Sequence, residues 1–159
     1  MGKALPPTSR CITFGIGARS ERTADNSIIA ALLRKKFWTT TFWRGRYRER
    51  ILLKACLEAK QPFVLDNTNL TREARAETIA QARAAGFGVT GYYFQSSLAA
   101  AIERNLQRSG KAQIPLKGLL TAHRKLEVPS LDEGFDQLHY VQIGDDVQFV
   151  VKEWNDEIR

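Results

Sequence analysis

Five consecutive residues, Leu65-Asp66-Asn67-Thr68-Asn69, end an apolar run with a carboxylate, two amides and a hydroxyl. An aspartate directly after a buried strand can hold Mg²⁺, directly or through water, or polarise a hydroxyl. The amides of Asn67 and Asn69 and the Thr68 hydroxyl can hold a substrate in register beside it. The same residue types favour turns and helix caps through their own backbone hydrogen bonds, so a plain strand-to-helix loop is the competing reading.

A second group is cationic. In Arg104-Asn105-Leu106-Gln107-Arg108-Ser109-Gly110-Lys111 the two arginines stand four apart, which places them on one helix face, and Lys111 follows a glycine past the helix end. Guanidinium grips phosphate oxygens bidentately, so this trio suits a polyphosphate. A solvated basic helix end that complements the helix dipole is the alternative. The stretch Glu127-Val128-Pro129 to Glu133-Gly134-Phe135-Asp136 reads as a shaped structural loop anchored by Phe135. His123 and His139 have no Cys or second His at metal-ligand spacing, and Cys11 and Cys56 read as small buried side chains, not a disulfide framework or zinc site.

These groups need elements to position them. CITFGI, residues 11–16, suits a buried strand, and residues 1–10, broken by Pro6-Pro7, form a loose tail. Residues 24–36 carry a helical face of Ile28, Ile29, Leu32 and Leu33, and the aromatic, β-branched residues 37–43 lean to strand. Residues 47–60 form a basic amphipathic helix, and 62–65 a strand ending at Asp66. Thr71 caps a helix over 72–85 that stops at Gly86; 87–94 is a strand; Ser96 or Ser97 caps a helix over 98–108; and 116–126 is a further helix. Residues 138–143 and 147–151 make a hairpin around Gly144-Asp145-Asp146. Alternating strands and helices predict an α/β fold with a mainly parallel sheet, in which ligands sit beyond the carboxyl ends of the strands, where Asp66 falls.

The chain has 159 residues, 43% apolar and 26% charged, the composition of one globular domain. Its charge of +7 is unevenly spread. Residues 1–60 hold 13 basic and 4 acidic side chains, a net +9, and the remainder 11 and 13, a net −2. Residues 34–54 alone carry 8 cations against 1 anion, beside Trp38 and Trp43, a pattern shared by nucleic-acid-binding surfaces and by charged helix faces with core tryptophans. No apolar run is long enough to span a membrane and MGKALPPTSR has no apolar signal core, so the expected setting is cytoplasmic.

Taken in order, FVLDNTNLTREAR, GYYF, AIERNLQRSGKAQIP, EVPSLDEGFDQLHYV and FVVKEW resemble the polynucleotide-kinase-like P-loop kinases, a group among the AAA-family ATPases, over residues 61–151. The resemblance implies a P-loop NTPase-like three-layer α/β sandwich with a mainly parallel sheet and a C-terminal hairpin, residues 11–159 forming one domain. It implies ATP and Mg²⁺ as cofactors. The acceptor would be a hydroxyl on an RNA or DNA end or on a small molecule. Asp66 takes the catalytic and metal position of the strand-three loop, with Asn67, Thr68, Asn69 and Arg75 on the substrate side. Residues 97–126 become the lid helices, whose Arg104 and Arg108 neutralise charge in phosphoryl transfer, with Arg108 and Lys111 on the nucleotide.

The resemblance fails in one window. A Walker A loop reads G-x-x-x-x-G-K-[ST], and here the chain reads Gly15-Ile16-Gly17-Ala18-Arg19-Ser20-Glu21-Arg22-Thr23. Counting from Gly15 puts Glu21 at the lysine, which at ~4 Å and an effective dielectric of ~20 turns about 4 kcal/mol of attraction into repulsion. What remains for nucleotide in this degenerate region, residues 11–45, is Gly15, Gly17, Arg22 and Thr23. The aspartate expected after strand two is missing as well, and Glu49, the sole carboxylate between residues 26 and 57, falls inside the following helix. One contiguous basic window between good matches reads as a replaced segment, as a local change of reading frame produces. These losses predict a weakened or inactive kinase; the alternative is a non-catalytic pseudo-kinase binding nucleic acid or another polyanion through its basic first third.

Overall fold

The computed structural model describes residues 11–16, 38–39, 46–95, 97–110, 113–143 and 149–155. The expected tail 1–10, the helix over 24–36, Ser96 and the hairpin turn at 144–146 lie outside the described residues, as does the strand over 37–43 apart from Trp38 and Thr39.

Six strands form one sheet in the order β2-β3-β1-β4-β5-β6. They are β1 (Cys11–Ile16), β2 (Trp38–Thr39), β3 (Phe63–Asp66), β4 (Gly88–Phe94), β5 (Gln137–Ile143) and β6 (Phe149–Glu153). Every neighbouring pair is parallel except β5–β6, the antiparallel hairpin at the edge. The second strand of that hairpin runs on past its expected end at residue 151: Val141 opposes Val151, and the pairing continues to His139 opposite Glu153. Cross-strand partners, not local hydropathy, set where an edge strand ends.

Among the described residues four α-helices accompany the sheet: α1 (Arg46–Glu58), α2 (Arg72–Ala84), α3 (Leu98–Leu106) and α4 (Leu116–Lys125). Thr71 caps α2 through its hydroxyl, which accepts from the Ala74 amide at 3.2 Å, and Gly86, at φ 75°, turns the chain out of it. Ser97 caps α3 in the same way through the Ala100 amide. α3 ends at Leu106, two residues short of expectation, because the Arg108 amide closes a tighter turn onto the Asn105 carbonyl at 3.2 Å.

The core lies where α1 and α2 meet the sheet. Leu53 and Leu57 of α1, Ile79 and Ala82 of α2, and Phe63, Leu65, Val89, Tyr93, Leu138 and Tyr140 of the strands form one buried cluster with Phe87 and Phe135. Phe135 is the anchor foreseen for its loop. It passes under Gly91 so closely that an added Cβ there would stand 2.5 Å from Leu138 and 3.0 Å from the Phe135 ring. A glycine is therefore required in GYYF by packing.

Candidate active site at the carboxyl end of the sheet

β3 delivers the Asp66–Asn69 loop to the carboxyl edge of the sheet. Its three preceding residues, Phe63, Val64 and Leu65, are buried, so the strand is held on both faces and the polar loop begins where burial stops. β1 lies alongside in register, with Gly15 opposite Asp66. β1 also marks the place where strand order reverses, since β3 stands on one side of it and β4 on the other. Crevices at such points are the standard ligand sites of parallel α/β sheets.

The loop is built from behind. Asn69 sits at φ 43° in the left-handed region, which asparagine tolerates better than most residues, and it is nearly buried. Its carbonyl accepts from Arg75 Nη1 at 3.0 Å. The same nitrogen donates to the carbonyls of Leu70 at 3.3 Å and Glu127 at 3.2 Å. Arg75 Nε and Nη2 donate to the two oxygens of Glu133 at 2.6 and 2.7 Å, with the arginine side chain 0% and the glutamate 3% exposed. Arg75 was expected on the substrate side. The structure corrects this: its guanidinium is sealed from solvent and engaged with protein, so it braces the loop and does not face a ligand.

Glu127 adds a second tie. Its amide donates to the Leu70 carbonyl at 2.8 Å, and its carboxylate accepts from the Arg72 amide at 2.7 Å, capping α2. Because Glu127 stands two residues past the end of α4, the exit of that helix is stitched to the loop. The Glu127–Asp136 stretch is thus structural, as its sequence suggests. Ser130 and Glu133 form a capping box. Gly134 takes φ 104°, where a Cβ would also meet Ile79 at 2.9 Å, and Asp136 accepts from the Val89 amide at 2.6 Å.

The front of the loop holds a contact that the sequence reading passed over. Asn67 Nδ2 donates to both carboxylate oxygens of Glu49, each at 3.3 Å, while Asn67 Oδ1 accepts from the Thr68 amide at 2.9 Å. Glu49 belongs to the first turn of α1. It lies four residues before Leu53 and eight before Leu57, so the stripe that buries those leucines turns Glu49 inward too. Helices that feed parallel strands run back along the sheet, so the N-terminal end of α1 meets the carboxyl end of β3. That leucine spacing was the available signal. Glu49, Asn67 and Thr68 are all half-buried.

α3 and α4, expected as lid helices, pack on each other. Arg104 is in the last turn of α3 and half-buried, and Arg108 lies past its end, also half-buried. The two therefore do not share a regular helix face, a second correction to the spacing argument. Asn105, buried between them, fixes the loop that follows: its amide donates to the Ile114 carbonyl at 2.8 Å and its oxygen accepts from the Ile114 amide at 2.9 Å. Sequence reading assigned Asn105 no part. Gly15 is placed in β1, whereas Gly17, Arg22, Thr23 and Lys111 lie outside the described residues.

Elsewhere, burial pushes the Cys56 thiol up and the His139 imidazole down, the latter opposed by the Glu153 carboxylate across the hairpin. His139 stacks on Tyr92 at 4.8 Å between ring centroids, an ordinary satisfied histidine. Among the described residues no three His, Cys, Asp or Glu side chains converge to hold a metal, and no helix is long and apolar enough to cross a membrane.

The five-strand parallel run, the strand-three loop at its carboxyl edge and the helices packed with them form an α/β P-loop NTPase fold of kinase-like type. Solved structures share it, among them the following two. A gluconokinase from Sinorhizobium meliloti 1021 superposes with a TM-score of 0.59 at 18% identity, covering 87% of this chain and 85% of its own. The PezAT chromosomal toxin–antitoxin system of Streptococcus pneumoniae gives 0.59 at 14% identity, covering 94% and 73%. A search of curated proteins finds no match. A family model described as AAA domain matches residues 18–129, and the chain belongs to that family, within its P-loop kinase-like members. The matched span begins well before the resemblance legible at residue 61 and stops ahead of β5.

Proposed function

We propose that the chain is a hydroxyl phosphotransferase that takes its phosphoryl group from Mg-ATP and whose activity is lowered by the loss of the P-loop lysine. The observation that carries this is the loop at the carboxyl end of β3, rigidly braced from behind and presenting Asn67 and Thr68, half-buried, beside β1. Phosphoryl transfer is mainly positioning and charge neutralisation, and a braced loop supplies the first.

The donor chemistry near the loop fits Mg²⁺. An aspartate carboxylate, as at Asp66, and a threonine hydroxyl, as at Thr68, are hard oxygen donors, and Mg²⁺ is ordinarily held by one or two carboxylates with water and phosphate oxygens completing the octahedron. The metal, when bound, draws charge from the phosphate oxygens. Arg104 and Arg108 then serve as the lid cations, placed by the Asn105–Ile114 clamp. The acceptor is a hydroxyl on a nucleic-acid end or on a small polyol acid of the kind that a gluconokinase phosphorylates.

Calorimetric titration of Mg-ATP into the protein, with Arg108→Ala beside it, tests the reading. The expected result is binding that weakens at least ~10-fold in the variant, the scale of one charge-assisted phosphate contact. A folded protein that yields no heat overturns it.

One observation supports a second reading, a polyanion-binding pseudo-kinase. The outward face of α1 leaves Tyr47 70% and Ile51 51% exposed among Arg48, Arg50 and Lys54. Exposed aromatic and cationic side chains together suit single-stranded nucleic acid. Binding of poly(U) that falls steeply with salt, is lost in Tyr47→Ala and ignores ATP would favour this reading over the first.

A further inference from the structure

The carboxylates around the strand-three loop are not equivalent. Glu127 accepts from the Arg72 amide, Glu133 from Arg75, and Asp136 from the Val89 amide while also pairing with Arg83 at 3.0 Å. Asp132 is held by Arg72 and by the Ser130 hydroxyl. Each of these is neutralised by a cation or locked into backbone structure. Glu49 differs: among the described residues its hydrogen-bond partner is the neutral amide of Asn67, through two contacts longer than an ordinary N–H···O bond. It is half-buried, so it is accessible, and it stands on a regular helix, so it is fixed in place.

An inward-turned carboxylate without a cation, tethered to the loop that faces the acceptor, has the chemistry of a proton acceptor. We propose that Glu49 is a catalytic residue that receives the proton of the acceptor hydroxyl, with Asn67 as the positioning residue that aims it. This rests on the phosphotransferase reading. In the step, the acceptor oxygen forms a bond to the γ-phosphorus of the nucleoside triphosphate as the bond from that phosphorus to the β,γ-bridging oxygen breaks. The hydroxyl proton passes to a Glu49 oxygen, and the nucleoside diphosphate leaves with the electron pair of the broken bond.

The position has a structural logic. α1 must bury Leu53 and Leu57 to complete the core, and that packing leaves residue 49 at the loop whatever its identity. A glutamate there is therefore placed by the packing of α1 on the sheet.

The test compares wild type with Glu49→Gln, Glu49→Asp and Asn67→Ala. Transfer of labelled γ-phosphate to a 5′-hydroxyl oligonucleotide and to gluconate is followed alongside Mg-ATP affinity by calorimetry. In parallel, the Asn67 side-chain amide is observed by NMR as each acceptor is added without nucleotide. The expected outcome is a fall in kcat of at least ~100-fold for Glu49→Gln, the ordinary yield of a general base. Mg-ATP affinity should stay within about twofold, because the carboxylate acts on the acceptor. Glu49→Asp should recover part of the loss, Asn67→Ala should lose less than Glu49→Gln, and the Asn67 amide should shift on acceptor binding. Undiminished kcat in Glu49→Gln, or an Asn67 amide indifferent to both acceptors, overturns the assignment while leaving the phosphotransferase reading in place. Wild-type protein that binds no Mg-ATP removes both.

Discussion

The two sides of the strand-three loop are built from the same kinds of residues and do opposite things. Behind it, Arg75 and Glu133 meet at 2.6 Å with almost no exposed surface, and the guanidinium also takes three backbone carbonyls. In front, Glu49 and Asn67 meet at 3.3 Å, half-buried, with no cation paired to the carboxylate among the described residues. A buried charge must be satisfied completely or it destabilises the fold, so the rear groups are committed to structure. The front groups bear no such demand and can exchange a loose contact for a ligand. A third pair, Arg72 and Asp132, joins nearly the same two segments as Arg75 and Glu133, but with side chains 53% and 65% exposed. Three residues along one helix separate a brace from a solvated surface contact.

The largest effect is expected behind the loop. Arg75→Ala leaves Glu133 a buried carboxylate without its cation and takes one donor from each of three backbone carbonyls, and should cost about 3–5 kcal/mol in urea denaturation. Arg75→Lys should recover little, since an ammonium cannot reproduce the fork. A loss below about 1 kcal/mol would break the contrast between the two sides.

A smaller effect is expected in front. Asn67→Ala should change stability by less than about 1 kcal/mol, because its contacts are long and half-exposed. A larger loss in the same denaturation assay would mean that the front is structural too.

The smallest effect belongs to the outer pair. Arg72→Ala should lower the melting temperature at neutral pH only slightly, as exposed ion pairs do. That small difference should close in acid. The Ser130 hydroxyl first, and then Arg72, hold the Asp132 carboxyl below the ordinary aspartate range. A depressed carboxyl contributes stability that is present above the unfolded value, about 4, and is lost as pH falls through the folded one. Below pH 4 the variant should therefore lose less stability with further acidification than wild type does, measured as midpoint against pH.

Much of this architecture was legible beforehand. The apolar run 62–65, the caps at Thr71 and Ser97, and the stop at Gly86 are local signals, and each element formed within a residue or two of its expected place. Local signals failed where distant partners decide. The second hairpin strand pairs with β5 out to Glu153, two residues past its expected end, and α3 closes early at Leu106, leaving Arg108 beyond the helix.

Sequence alone thus determined the α/β class, the loop Asp66–Asn69 at a strand end, the kinase-like resemblance and the breakdown of the Walker A pattern, because periodicity, capping and motif order are written in neighbouring residues. Tertiary structure alone decided which polar residues are sealed into the fold and which stay accessible at the loop. Arg75 and Arg104 read alike as cations until burial shows that one is sealed against Glu133, 58 residues away in the chain. Glu49 reads as one more helical glutamate until the packing of Leu53 and Leu57 turns it toward Asn67. Burial and contact between distant segments set the cost of leaving a charge unpaired, and that cost separates structural from reactive groups.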